Sequence, residues 1–390
     1  MKYTKTIPTI ILATLIILGT ISPMLFTATP KTLAQGSITV SSDYFNPYKA
    51  IMVEVRGDYG PNITVLITND LTGDTLNLRN VPRVAPNYYV FYLGGPEADV
   101  EYPISGAPTI RIDENVDKGT PIRIDVLGAA LTYVVRYDVV KPTVTLDRRE
   151  YPYRRNATIV ISYIDEDADH DPTARDELLP GNVGVDITLI KADGTVVSET
   201  TDLEELGAVP SREALVRGGR FEFTITISKI NDVLAEADVG KDDRVLLSFY
   251  TKGDAQGGDE WMDEKTTVDF KAVYKYPSVS ITFNYQSLTI DVTSPDDNVD
   301  SRVKDTLDPE AEAKVTLEVG GKYCDISAED FREIGVNANT FRMTFRVVWG
   351  TDYMIDCLTK KTVTLPSNTD GPFTATARYY KMDPNPGYSI

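Results

Sequence analysis

The chain has a single histidine, His170, and only two cysteines, Cys324 and Cys357. One imidazole cannot build a multi-histidine zinc site. It also leaves a serine or cysteine nucleophile a sole candidate base, set in an acidic turn. A P-loop and a credible dinucleotide fingerprint are missing as well. A glycosidase needs only two carboxylates, yet nothing in so acid-rich a sequence singles out a pair. The expectation is a protein without catalytic residues and without a small-molecule substrate.

Basic residues are scarce too, with 39 Lys and Arg against 58 Asp and Glu for a net charge of −19. Such a surface repels nucleic acid and attracts cations, so no nucleic-acid partner is expected. Long apolar runs are limited to one, Ile7 to Thr20, preceded by Lys2 and Lys5 and followed by the small-x-small triplet Thr32-Leu33-Ala34. This pattern predicts a signal peptide over 1–34 and a mature chain starting at Gln35. Pro8, Pro23 and Pro30 leave it shorter than the roughly 20 apolar residues of a membrane span. No second run of that length precedes Ile390. The expected location is extracellular, at the cell surface, with no anchor of its own at the C-terminus.

What the sequence does have is strand-forming material. Tyr occurs 22 times against 12 Phe, amid much Val, Ile and Thr, the residues that suit half-buried pleated surfaces. Internal repetition organises it. Ser37-Ile-Thr-Val-Ser, Pro142-Thr-Val-Thr-Leu and Pro277-Ser-Val-Ser-Ile open three segments, and each is followed by a second alternating strand, at 50–55, 157–163 and 287–292. Ala192-Asp-Gly-Thr195 is a hairpin turn between alternating strands. Strands at 130–137 and 267–274 each run into a Lys and then a Pro, which suits the first position of a new edge strand. Only 229–237 and 203–206 read as briefly helical. The reading is all-β, with tandem immunoglobulin-like β-sandwich domains at 35–141, 142–276 and 277–390. Lys381 to Pro384 repeats the junction pattern. The expectation is therefore a fragment of a longer protein, or a tail that reaches a neighbouring subunit.

The sharpest local feature is the run from Asp165 to Asp176, with acids at 165, 167, 169, 171 and 176. Carboxylates this close repel one another unless a cation neutralises them, and calcium takes six to eight oxygens from flexible loops. The spacing is that of an EF-hand loop, but His170 stands for its turn glycine, Asp176 for its bidentate Glu, and no helices flank it. A calcium site on a sandwich loop is expected instead, with Asp165, Asp167, Asp169, Asp171 and Asp176 as ligands. A similar stretch in the third segment offers Asp296, Asp297 and Asp300, followed by Asp305 and Asp308. The Asp254–Glu264 stretch, with its Gly-Gly and Trp261, reads as a linker or contact loop. Cys324 and Cys357 are expected to form a disulfide, given export. Asn62-Ile-Thr64 and Asn156-Ala-Thr158 are glycosylation sequons.

The unit from Val144 to Tyr151, the strand at 157–163 and the turn Ile164-Asp-Glu-Asp-Ala-Asp-His-Asp-Pro172 together resemble archaeal S-layer glycoproteins of the crenarchaeal type. The resemblance implies a glycosylated, cation-dependent surface-lattice protein of tandem immunoglobulin-like domains, partnered by copies of itself and by a membrane-anchoring stalk protein. Two other readings stand beside it. One is an adhesin or filament subunit that polymerises by strand donation, from 35–40 or from the tail. The other is the non-catalytic module of a secreted hydrolase.

Overall fold

The computed structural model describes residues 36–112, 116–235, 237–252, 264–307, 313–367 and 373–380. The expected leader, the 381–390 tail, Asp308 and residues 253–263 of the expected contact loop lie outside them.

Alternation of apolar and polar residues decides the architecture. In Thr120–Leu127 every second side chain is buried, and the same holds in Val183–Ile190 and in most of Thr340–Gly350. A period of two puts one face of each strand into a core and the other toward water. The strands group into tandem sandwiches, and the described ladders pair strands only within a group.

In the first group the strands at 37–40, 50–56, 88–94 and 109–111 form one layer, while 62–69, 120–127, 131–137 and 44–45 form the other. The long strand Thr75–Ala85 pairs into both layers, with register shifts that let it turn the corner. The second group packs a sheet of 143–146, 158–164 and 220–226 against a five-stranded sheet of 150–152, 266–273, 244–251, 183–190 and 196–202. In the third, 278–283, 287–293, 340–350, 362–366 and 354–356 face 322–327, 314–319 and 375–380.

Five of the tyrosines serve core packing: Tyr89, Tyr92, Tyr137, Tyr151 and Tyr163 are fully buried, while Tyr102, Tyr276, Tyr285, Tyr323 and Tyr380 are exposed. In the first two sandwiches a short strand lies parallel to the closing strand, with Tyr44–Phe45 along Arg136–Tyr137 and Glu150–Pro152 along Lys271–Val273. An edge-to-face aromatic pair seals each, Phe45 with Tyr137 at 5.1 Å and Tyr151 with Phe270 at 5.0 Å.

The Asp-Gly hairpin forms, with Gly194 at φ +91° and Lys191 N–H donating to the Thr195 carbonyl at 2.8 Å. The helix runs Ile227–Leu234, earlier than the 229–237 expected, because Thr226 caps it by accepting from Lys229 N–H. Residues 203–206 form turns rather than a helix, and Leu203 and Leu206 serve the core.

Candidate functional site

The acidic run follows directly on the strand Thr158–Ile164, at the end of the second sandwich that faces the first. Its shape is set by its own carboxylates. Asp165 accepts from Asp167 N–H at 2.8 Å and from Thr251 Oγ1, and Asp171 accepts from Thr173 N–H at 2.8 Å, the self-bonding that favours Asp in turns. Asp176 then enters a two-stranded ribbon in which Glu177–Leu178 pairs with Ser211–Arg212. This ribbon brings Glu213, 37 residues away in sequence, beside Asp176, whose N–H donates to Glu213 Oε2 at 3.4 Å. Glu213 Oε1 in turn accepts from the backbone N–H groups of Gly218 and Gly219.

The loop also docks onto the first sandwich. Ala50 N–H donates to the His170 carbonyl at 2.9 Å, Tyr102 N–H to Thr173 Oγ1 at 2.9 Å, and Ser42 Oγ to Glu166 at 3.2 Å. Asp171 accepts from Glu101 N–H, and Asp167 from Val140 N–H and Asn46 Nδ2. Buried Lys49 donates to the Glu166 carbonyl, and Arg217 reaches the Pro172 carbonyl at 2.7 Å and Met52 Sδ at 3.2 Å.

The five expected ligands therefore separate. Asp165, Asp167 and Asp171 hold backbone and side-chain donors, while Asp169 and Asp176 converge with Glu213, their nearest carboxylate oxygens all within 4.8 Å of one another. Asp169 is only 7% exposed, and its Oδ1 has no hydrogen-bond partner. Burial, opposed by Lys49 and Arg217 and reinforced by Glu213 and Asp176, pushes the Asp169 carboxyl up to about 7. Burial raises Asp176 to about 6, and burial with Asp165 alongside raises Asp167 to about 8. Burial and the nearby Lys49 pull His170 down to about 4, so the imidazole is neutral near pH 7.

The second and third sandwiches meet through the same scaffold. Residues 294–305 align with 165–176 without a gap and repeat several of its hydrogen bonds. Ser294 N–H donates to the Asn339 carbonyl as Asp165 does to that of Gly219, and Thr158 N–H to the Val299 carbonyl as Ala50 does to that of His170. Lys275 N–H donates to Asp296 at 3.1 Å and Asp305 N–H to Glu333 at 3.2 Å. Asp305 Oδ2 accepts from Asp300 N–H at 3.1 Å, just as Asp176 Oδ2 accepts from Asp171 N–H at 3.1 Å. Glu333 Oε1 accepts from Ala338 and Asn339 N–H.

The filling differs. Asn298 stands where Asp169 does, and its amide nitrogen donates to Asn337 and Asn339 at 2.7 Å each while its oxygen accepts from Arg148 at 3.1 Å. Asp297 is paired with buried Arg154 at 2.8 Å and accepts from Tyr379 Oη at 2.9 Å. Asp296 serves the linker through Lys275, and Asp300 is held by Arg302 at 3.1 Å. The expected ligands Asp296, Asp297 and Asp300 thus each have other partners here.

Glu213 was not among the sequence candidates, although a signal for it exists. Arg212-Glu213, Val216, Phe221 and Thr224 recur at the same spacing as Arg332-Glu333, Val336, Phe341 and Thr344. Asn62 and Asn156 are both exposed, at a strand start and in a turn. Cys324 and Cys357 are joined, with Cα atoms 6.5 Å apart, and tie the two sheets of the third sandwich together.

No protein-family model matches the chain, and no curated protein matches it. Among solved structures it is similar to the FN1–FN3 domains of chicken CNTN1, at 8% identity over 89% of this chain and 98% of that one, with a TM-score of 0.23. A tetra-tandem repeat from the extending region of a large adhesion protein gives 15% identity over 90% and 74%, with a TM-score of 0.20. The Yersinia pseudotuberculosis adhesin InvE gives 14% over 65% and 69%, with a TM-score of 0.24. Superpositions this loose carry no argument about function, and the all-β tandem immunoglobulin-like fold rests on the strand pairing itself.

Proposed function

We propose that the chain is a structural subunit of an extracellular protein surface layer, with no catalytic role. The observation that carries this reading is the pair of junctions. Each successive sandwich is fixed to the one before it by a loop of buried, hydrogen-bonded polar groups, where a flexible linker would have left few contacts. A buried, hydrogen-bonded polar network favours one geometry. A rod of fixed bend suits a lattice, in which every copy must present its contacts at the same angle. The leader-like N-terminus, the disulfide and the acidic composition agree with export. Glycans at Asn62 and Asn156 and a membrane-anchoring stalk partner belong to the same proposal.

The competing filament reading needs a free donor strand. Ser37–Val40 is instead paired along its length with Arg56–Val53 of its own sandwich, so that segment would have to undock before it could be donated. Electron microscopy of the purified chain on a lipid monolayer with millimolar calcium distinguishes the two. Two-dimensional arrays are expected. Filaments that vanish when residues 35–40 are deleted, or dispersed rods at every concentration, would overturn the surface-layer reading.

A further inference from the structure

We infer that Asp169, Asp176 and Glu213 bind one calcium-type divalent cation at the first junction, and that the second junction, built on the same scaffold, binds none. The inference stands independently of the surface-layer reading.

Where Asn337 and Asn339 supply the acceptors that satisfy Asn298, the first junction has Arg217, whose guanidinium donates to the Pro172 carbonyl and Met52 Sδ, and Gly219, which has no side chain. Gly219 cannot readily gain one, because it sits at φ +50° and a Cβ there would lie 2.3 Å from the Asp165 carbonyl oxygen. Neither residue gives Asp169 the amide partners that Asn337 and Asn339 give Asn298. Asp169 adds a negative charge where Asn298 is neutral, and its Oδ1 is buried without a partner.

An unpaired carboxylate in such a place is costly unless something neutralises it. Two further carboxylates lie with their oxygens within 4.8 Å. Oxygens that share a calcium ion, each at 2.3–2.6 Å from it, lie within about 5 Å of one another. The donor set is oxygen only, which suits a hard cation. Neutralisation also removes the burial penalty on Asp169 and Asp176. At the second junction Asn298 takes one member out of the triad, leaving Asp305 and Glu333, while buried Arg154 supplies positive charge through Asp297.

The site ties the two sandwiches together indirectly. Its ligands lie on either side of His170 and Asp171, whose carbonyl and carboxylate accept from the first sandwich. A bound cation therefore stiffens the loop on which docking depends.

Calorimetric titration of calcium into the full, chelator-stripped chain tests this. One site per chain is expected. Asp169→Asn should weaken binding by more than about 100-fold, beyond the 10–100-fold typical of outer-shell partners, and Glu333→Gln should leave it unchanged. Asp176→Asn provides a second reading if Asp169→Asn fails to fold. Saturating calcium should also raise the unfolding temperature of the wild type and leave that of Asp169→Asn where chelator puts it. No binding, two equivalent sites, binding indifferent to both first-junction variants, or binding lost with Glu333→Gln would each overturn the assignment.

Discussion

The two junctions of this chain use one backbone plan with two kinds of charge balance. At the first, a carboxylate triad feels the positive charges of buried Lys49 and of Arg217, whose hydrogen bonds go to the Glu166 and Pro172 carbonyls rather than to the triad. At the second, Arg154 and Asp297 form a buried ion pair, their side chains 2% and 0% exposed, and Asn298 is satisfied by amides. The scaffold tolerates both because its bonds come from backbone N–H groups to Glu213 and Asp176, or to Glu333 and Asp305, and these are indifferent to what fills position 169 or 298. A duplicated junction can thus be made ion-responsive or self-contained by a few side chains, with no change of fold.

The largest effect that would separate them is loss of the second junction's counter-charge. Arg154→Ala leaves Asp297 buried beside the Tyr379 hydroxyl but without its counter-charge, which should cost about 3–5 kcal/mol. Asn46 occupies the matching place at the first junction, where its side chain donates to Asp167 at 3.4 Å. Asn46→Ala should cost only about 1–2 kcal/mol through that bond and those it accepts from Tyr48 and Lys49 N–H. Denaturant unfolding of both variants in chelator measures the ratio; equal losses would break the contrast.

A comparable but differently placed effect concerns the disulfide, which closes a loop of 33 residues in the third sandwich alone. Cys324→Ser with Cys357→Ser should destabilise that sandwich by about 3–4 kcal/mol. Calcium binding at the first junction should be untouched. Differential scanning calorimetry with and without calcium resolves the two, and a calcium response that disappears with the disulfide would mean that the first junction and the third sandwich are coupled.

The smallest expected effect is on pH dependence at the second junction. Burial, with Glu333 nearby, raises Asp305 to about 6 from the ordinary carboxylate value of 3.8. Its folded form therefore binds protons more readily than its unfolded form, so its contribution is fully present below about 4 and is lost as pH rises through about 6. Melting in chelator should show a wild-type stability that falls relative to Asp305→Asn between pH 4 and 7. A difference that stays flat, or rises with pH, would contradict the burial of that carboxyl.

The all-β fold was legible because period-two alternation is local: a strand such as Val183–Ile190 declares its buried face residue by residue. Gly194 marked its hairpin for the same reason, since a left-handed turn position selects its residue directly. The helix start was misjudged because the cap, Thr226, lies within what reads as a strand. The acidic run was visible as a cluster, but its members could not be sorted from spacing. Alternate positions say that carboxylates are near one another, not which will find backbone donors.

Sequence by itself determined the strands, the turns and the concentration of charge at 165–176, because these follow from neighbours along the chain. Tertiary structure alone decided that Glu213 completes the triad with Asp169 and Asp176, and that Asp165, Asp167 and Asp171 are spent on other bonds. It alone showed that Asn298 is satisfied by Asn337 and Asn339. The physical reason is that a carboxylate's role is fixed by the donors and charges within a few ångströms of it. Here those come from a ribbon partner 37 residues away and from the neighbouring sandwich.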